Sequence, residues 1–467
     1  MITRGKIWLM VSISILAACE VRERLPEIAT EEGDGAHLPV LGTPVDGQIT
    51  SIGAAVADFV PDQPTSLAGF GGAGRRFLPP LFTPDGDLAF CKPYQKILHP
   101  PRIKTAVFNV TSESGQTQNL FLVSLDTVAI TSDLLGKVHA AINSANPNTT
   151  AQLNNTTVIA SHTHSGVAGL TENPLWGAFV CDQYNDRLTG KFLETLKETV
   201  VRSLSNRKTI ASIESRTIRV PTLLKSRSGT MRSEDHVHLL QFMTADQRPA
   251  VSLLQLAAHP TTFGTKDLVL TSDLVSPLEE AVKSSNDSEY VFLMQTEIGN
   301  MDANMDGMSL ESWAAAMADA LQNTASEKHQ TSNLNIKTSA GFFELPSKRI
   351  NWHGCDATAA KAFMNADILN ALPQKVPYSS WKLQGETFLF LAGEWTTSAA
   401  DALREKLSQK NQAAANLKVF SLAHDYTAYH LSPSEYEKKS LESCSSIYGP
   451  TVSEDLARQL NSNGLPL

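Results

Sequence analysis

The side chains best suited to hold a metal ion or move a proton stand at the ends of apolar runs. Thr157-Val158-Ile159-Ala160-Ser161 leads into His162-Thr163-His164-Ser165-Gly166. Residues two apart on a strand share a face, so His162 and His164 are expected to point to one side of a strand end. A second pair, His236 and His238, competes for the same role. With Glu234 and Asp235 before it, it also reads as a solvated strand entry, the reading preferred here. His259 ends the run Val251–Ala257 just before Pro260-Thr261, where a hydrogen-bonded structural histidine is the plain alternative. Glu394 follows Gly393 after Phe388-Leu389-Phe390-Leu391-Ala392. Histidines and a carboxylate converging at strand ends are the ordinary way to build a catalytic zinc site, with few protein ligands and one position left for water.

Two further motifs compete for attention. Asp302-Ala303-Asn304-Met305-Asp306-Gly307 matches the first half of a calcium loop, D-x-N-x-D-G, but the closing position carries Trp313 and Glu311 is two residues short. A Ca2+ site is therefore the lesser reading, against a polar turn or a catalytic loop. Gly69-Phe70-Gly71-Gly72-Ala73-Gly74 matches G-x-G-x-x-G, yet no strand precedes it and Arg75-Arg76-Phe77-Leu78-Pro79-Pro80 does not open a helix. A dinucleotide site needs both contexts, so this is read as a loop.

These groups must be positioned by a large α/β body. Asn119–Val128, Thr157–Ser161, Val237–Phe242, Val251–Ala257, Tyr290–Met294 and Thr387–Ala392 read as strands. Leu134–Ala145, Arg187–Leu204, Leu274–Lys283, Leu310–Asn323 and Ala399–Gln409 repeat apolar residues at helical spacing. Ser272-Asp273 and Ser398 are candidate N-caps. Their alternation gives an α/β class, expected as one catalytic domain over residues 51–467 with a mixed β-sheet core and flanking helices. The net charge of −9, without a Lys/Arg run, argues against a nucleic-acid partner. Oligomeric state is not legible.

The front of the chain reads as an address. Arg4 and Lys6 precede an apolar segment closed by Leu16-Ala17-Ala18-Cys19, the order of an export signal. The tetrapeptide resembles a bacterial lipobox, which implies a signal peptide over 1–18 and a lipidated Cys19 anchored in the cell envelope, with Glu20 favouring the outer membrane. Residues 19–50 then read as a tether. Cys91, Cys181, Cys355 and Cys444 permit two disulfides, with free buried thiols as the alternative.

In order, the pieces resemble the neutral/alkaline ceramidase family, zinc amidases that hydrolyse the N-acyl bond of ceramide, over roughly residues 51–455. Ser161–Gly169 is similar to the family's T-H-T-H-S-G-x-x-G, His259-Pro260-Thr261 to its H-P-T, and Gly393-Glu394 to its G-E. Ala428–Tyr436 resembles G-Y-x-T-T-P-E-E-Y, and Leu441–Pro450 resembles Y-E-G-x-S-T-x-Y-G-P. The resemblance implies one Zn2+ held by His162, His259, Glu394 and Tyr429, with His164 facing the substrate carbonyl and Arg227 the nearest match to the family's N-R-S-P arginine.

Three departures stand out. The family's Q-S-N-x-G-D-V-S-P-N segment corresponds to Gln295–Asn304, placing Asp302 at the nucleophilic serine position, Glu297 at the asparagine and Asn300 at the aspartate. Leu441 replaces the substrate-contacting tyrosine, and no C-terminal immunoglobulin-like domain is expected. The resulting expectation is a hydrolase of ceramide or a similar N-acyl lipid. Water attacks directly, Asp302 or Glu297 acts as base, and His164 and Arg227 steady the oxyanion. The competing expectations are a non-catalytic surface lipoprotein binding lipid or calcium on the same fold, and a hydrolase of another N-acyl or ester substrate.

Overall fold

In the computed structural model, which describes residues 38–463 apart from 71–73, 83–87, 174–175, 178–181, 228–234, 350, 352–371 and 439, the apolar alternation resolves into two stacked β-sheets. The principal strands are β1 (Asp46–Asp58), β2 (Arg102–Thr111), β3 (Thr117–Leu125), β4 (Thr156–Ala160), β5 (Ser212–Arg219), β6 (His236–Met243), β7 (Pro249–Leu256) and β8 (Tyr290–Gln295). They continue as β9 (Lys328–Thr331), β10 (Asn335–Glu344), β11 (Lys375–Leu383), β12 (Glu386–Phe390) and β13 (Lys418–Phe420). The larger sheet runs β13-β12-β11-β10-β1-β2-β3-β4, with Lys208–Thr209 also paired to β1. The smaller runs β8-β7-β6-β5-β9. Pairing is antiparallel except for β3 with β4, β12 with β13 and β7 with β8.

Strand alternation sorts each side chain to a layer. On β2, Ala106, Phe108 and Val110 face the smaller sheet, while Ile103 and Val107 face helices. On β7, Val251 and Leu253 meet the larger sheet, while Leu254 and Leu256 turn outward to a third apolar layer. Helices α1 (Ser132–Ala145), α2 (Asp186–Ser205), α3 (Val275–Asn286), α4 (Leu310–Asn323) and α5 (Thr397–Ser408) cover the outer faces. They are followed by α6 (Pro433–Tyr436), α7 (Leu441–Ser445) and α8 (Val452–Asn463). Helices α1, α2, α5 and α8 pack on the larger sheet; α3 and α4 pack on the smaller. The order of layers is helix, sheet, sheet, helix. This is the expected α/β class with a mixed sheet core, and among the described residues no separate β-sandwich accompanies it. No described helix is long and apolar enough to cross a membrane.

Several expectations shift. Residues 1–37, including the signal segment and Cys19, lie outside the described residues, but the folded body begins before residue 51. Strand β1 starts at Asp46, and the Val40 and Leu41 carbonyls accept bonds from Leu153 N and Asn154 N. Helix α5 is capped by Thr396, whose side chain accepts from Ala399 N, rather than by Ser398. Cys91 is a free, buried thiol and Cys444 is disulfide-bonded, so two disulfides among the four body cysteines are excluded. Cys181 and Cys355 lie outside the described residues. Past Gly69–Gly74 comes a strand, Arg76–Phe82, so no helix follows to receive a dinucleotide phosphate.

Candidate metal centre

The C-terminal ends of strands from both sheets converge, as they do where open α/β sheets place their sites. After β4 the chain turns sharply at His162, whose φ of +70° lies in the left-handed region. The two histidines of the first pair thus meet through a turn, not through strand alternation. Their Nε2 atoms lie 3.2 Å apart. After β7 comes His259, which forms a backbone bridge with Asp302. Glu394 sits on a short strand, Glu394–Trp395, paired in parallel with Tyr429–His430. Gly393, at φ +78°, makes the turn into it, and a Cβ there would lie 2.4 Å from the Thr427 hydroxyl.

These loops bring His162, His259 and Glu394 together, their ligand atoms within 4.8 Å of one another and all three buried. His162 Nδ1 lies 2.5 Å from the Val128 carbonyl, and His259 Nδ1 lies 3.0 Å from the Met301 carbonyl. A carbonyl only accepts, so each Nδ1 carries a proton, and each Nε2 is left to bond Glu394 as an N–H or, in the neutral ring, to give its lone pair to an ion. Both Nε2 atoms point at Glu394, at 3.3 Å from Oε1 and 3.0 Å from Oε2. Burial alone would raise the Glu394 carboxyl, but His162 and His259 hold it well below the usual carboxylate range. The Tyr429 hydroxyl stands 3.4 Å from His259 Nε2, its phenol pushed well above the ordinary range by burial and then by Glu394. Imidazoles oriented by carbonyls on the far ring nitrogen are how proteins pre-set metal ligands, and the donor set of nitrogen and carboxylate oxygen suits zinc. The residues fit such an ion.

Around this cluster, Arg227 grips Asp302 with two parallel bonds, Nε to Oδ2 at 3.0 Å and Nη2 to Oδ1 at 2.7 Å, and reaches Glu442 at 3.4 Å. Asp302 is thereby held beside His259. Glu297 is not. It pairs with Arg404 and lines a different cavity. The calcium-type loop also closes differently: Asp302 is engaged by Arg227, Asn304 donates to Thr222 O at 3.0 Å, and Glu311 turns to His99 at 3.2 Å. Among the described residues, the His/Cys/Asp/Glu group placed to share an ion is His162, His259 and Glu394. The rival pair shares one strand face, as residues two apart do, but away from the ion-binding cluster: His236, at the strand's start, is exposed, while His238 is buried with Nδ1 2.8 Å from the Thr217 hydroxyl.

Sequence reasoning missed several supports. Tyr426 donates its hydroxyl to Glu394 Oε1 at 2.7 Å. Gln295 bonds the Ser161 carbonyl at 3.1 Å and both the carbonyl and N–H of Ala258, clamping the two histidine loops together. Arg75, fully buried, donates to the Ala68 carbonyl and the Ser165 hydroxyl, each at 3.1 Å, and also to His164 O. Gly69 lets the same loop approach, since a Cβ there would lie 2.6 Å from His164. The glycine-rich stretch was the signal for that loop; Tyr426 had none.

A buried two-histidine, one-carboxylate centre at the strand ends of a layered α/β body defines the class, and the fold is that of neutral ceramidase. The neutral ceramidase of Pseudomonas aeruginosa superposes with a TM-score of 0.66 at 13% identity, over 89% of this chain and 74% of that one. A ceramidase complexed with C2 matches with the same TM-score and identity, over 88% and 74%. No family model matches the sequence, and no curated protein matches it.

Proposed function

We propose that the protein is a zinc-dependent hydrolase of an N-acyl amide in a lipid-like substrate, with ceramide the first compound to test. The observation that carries this reading is the His162–His259–Glu394 cluster, buried and pre-oriented by carbonyls, on the fold of solved ceramidases. His162, His259, Glu394 and Tyr429 would hold the ion, which when bound lowers the pKa of water from about 15.7 towards ~7 and polarises a carbonyl.

The remaining groups would divide the proton and charge work. With His162 in the neutral form a metal ligand needs and its proton on Nδ1, His164 Nε2 would be the donor across the 3.2 Å contact between the two Nε2 atoms. With His162 committed as a ligand, that N–H is released to the substrate's carbonyl oxygen. His164 is suited to this, since burial first, then His162 and His259, keep it neutral. Asp302 accepts the proton of the attacking water and returns it to the leaving amine, its carboxylate held in place by Arg227. An aspartate serves here as a base and is a poor acyl acceptor. Glu297, committed to Arg404, takes no part.

Metal content and release of labelled acyl chain, measured together on the purified protein, test this. A single zinc per chain is expected, lost in His259→Ala and in Glu394→Gln. Asp302→Asn is expected to keep the metal and lose roughly 10²–10⁴-fold in turnover. Metal retained in both ligand variants rejects the ligand set, and unchanged turnover in Asp302→Ser rejects the base. Metal bound without hydrolysis of any N-acyl lipid or ester favours the non-catalytic reading. Anchoring through a lipidated Cys19 in the cell envelope belongs to the same proposal. Fatty-acid label incorporated by the intact chain and equally by Cys19→Ser would refute it.

A further inference from the structure

A second cavity, of about 550 Å³, opens where the two sheets part, and none of His162, His259, Glu394 or Tyr429 lines it. Its floor is a row across three strands of the smaller sheet, with Thr217 on β5 opposite His238 on β6, and His238 opposite Gln255 on β7. By alternation this row continues the face that carries Leu240, Phe242, Val251 and Leu253 into the core between the sheets. Apolar filling thus gives way, one step along β6 and β7, to His238 and Gln255, with Thr217 beside them on β5.

Thr217 and His238 Nδ1 bond each other, but the rest of the row is unmet. His238 and Gln255 are 7% and 2% exposed, yet His238 Nε2 and both polar atoms of the Gln255 amide have no hydrogen bond. The opposite wall repeats this at the β11–β12 turn, where Gln384 Nε2 and Glu386 Oε2 are also unbonded. His238 Nε2 and Glu386 Oε2 face each other at 3.8 Å, too far for a direct bond and suited to a hydroxyl touching both. An unmet buried polar atom costs about 1–3 kcal/mol, and the four side chains that carry these five atoms all line the one cavity, which points to a polar occupant.

The chemistry of that occupant follows from the lining. Gln255 and Gln384 donate, while Gln255 and Glu386 accept, the mixed pattern that hydroxyl groups satisfy. An anion is disfavoured: Arg404 is already held by Glu297 and Asp401, and Lys418 lies 3.8 Å from Glu386. An acyl chain would leave the polar floor unmet. Glu386, Lys418 and Asp401 are 30–42% exposed at the side chain and give the cavity its mouth. The volume lies in the usual range for small-molecule sites.

We propose that this cavity binds a neutral polyhydroxylated ligand, a sugar either free or carried as a lipid headgroup. The test uses the intact protein and saturation-transfer NMR with glucose, galactose and N-acetylglucosamine. A parallel arm measures binding to phosphatidylcholine vesicles with and without glucosylceramide. Saturable binding of a sugar is expected, at least ten-fold weaker in both Gln255→Leu and Glu386→Ala, with zinc content and acyl release unchanged. Binding to free sugar identifies a soluble ligand, and binding only to the glycolipid vesicles identifies a headgroup. Glu386 lies at the mouth, so Glu386→Ala remains informative if Gln255→Leu fails to fold. Absence of saturable binding in both arms, affinity unchanged in a folded variant, or tighter binding of inorganic phosphate than of any sugar overturns the proposal.

Discussion

Tyr426 shows how a site can depend on a residue that no motif announces. Its hydroxyl fixes Glu394 Oε1 from the side away from His259, whose Nε2 engages the other oxygen. Outer partners of this kind typically govern 10–100-fold in metal affinity. Tyr426→Phe is therefore expected to weaken zinc retention by about that factor in competition with a chelator, with the fold intact; unchanged retention would remove Tyr426 from the site. The histidines teach the complementary lesson. His162 and His164 were legible from spacing, but strand ends put residues two apart on one face only while the strand continues, and β4 stops at Ala160. A left-handed turn at His162, rare for a residue with a side chain, brings the rings together instead.

At the scale of elements, strongly periodic segments were legible to within a few residues, and Leu310–Asn323 was read to its observed ends. Strands β1, β2, β5, β9, β10, β11 and β13 were missed. Asn335-Ile336-Lys337-Thr338-Ser339 offers one apolar residue, Ile336, and Tyr378-Ser379-Ser380-Trp381-Lys382 mixes polar and apolar residues on both faces, so only sheet neighbours make them strands. Buried charge, too, is invisible in pattern. Lys104 on β2, fully buried, donates to Asp126 at 3.0 Å and to Glu279 on α3 at 2.7 Å, tying the larger sheet to a helix of the other layer. Lys104→Met removes the cation shared by two buried carboxylates and leaves Glu279 only Arg102, at 3.9 Å, so a loss of about 3–5 kcal/mol is expected in denaturant unfolding. A loss under 1 kcal/mol would show that the tie is dispensable.

For the whole molecule, four layers bury histidines in neutral form far from the metal centre as well as near it. Burial pulls His139 to about 4, and His238 and His424 to about 3. An unfolded histidine titrates near ~6.5, so below that pH the unfolded chain binds protons that the folded chain refuses. Stability falls as pH drops from 6.5 towards the folded values. Asp425, raised by burial to about 7, acts oppositely and offsets one of the three protons over pH ~4–6.5. Each of these histidines adds about 1.4 kcal/mol per pH unit to that loss, and His430, also pulled by burial to about 3, adds another. His424, bonded to Ser379 Oγ at 2.8 Å, is a clean probe. His424→Gln should flatten the slope by about one proton, and an unchanged slope would place the acid lability elsewhere.

By itself the sequence determined the α/β class, the acidic surface balance and the residues able to hold an ion, because periodicity and side-chain chemistry are local properties. Which carboxylate reaches which histidine was decided only by tertiary structure. Asp302 and Glu297, five residues apart, are held by different arginines, Arg227 near His259 and Arg404 at the second cavity, and those arginines come from distant segments. The same holds for the polar row of Thr217, His238 and Gln255. Each looks ordinary on its own strand, and only pairing in register turns three isolated polar residues into the floor of one cavity.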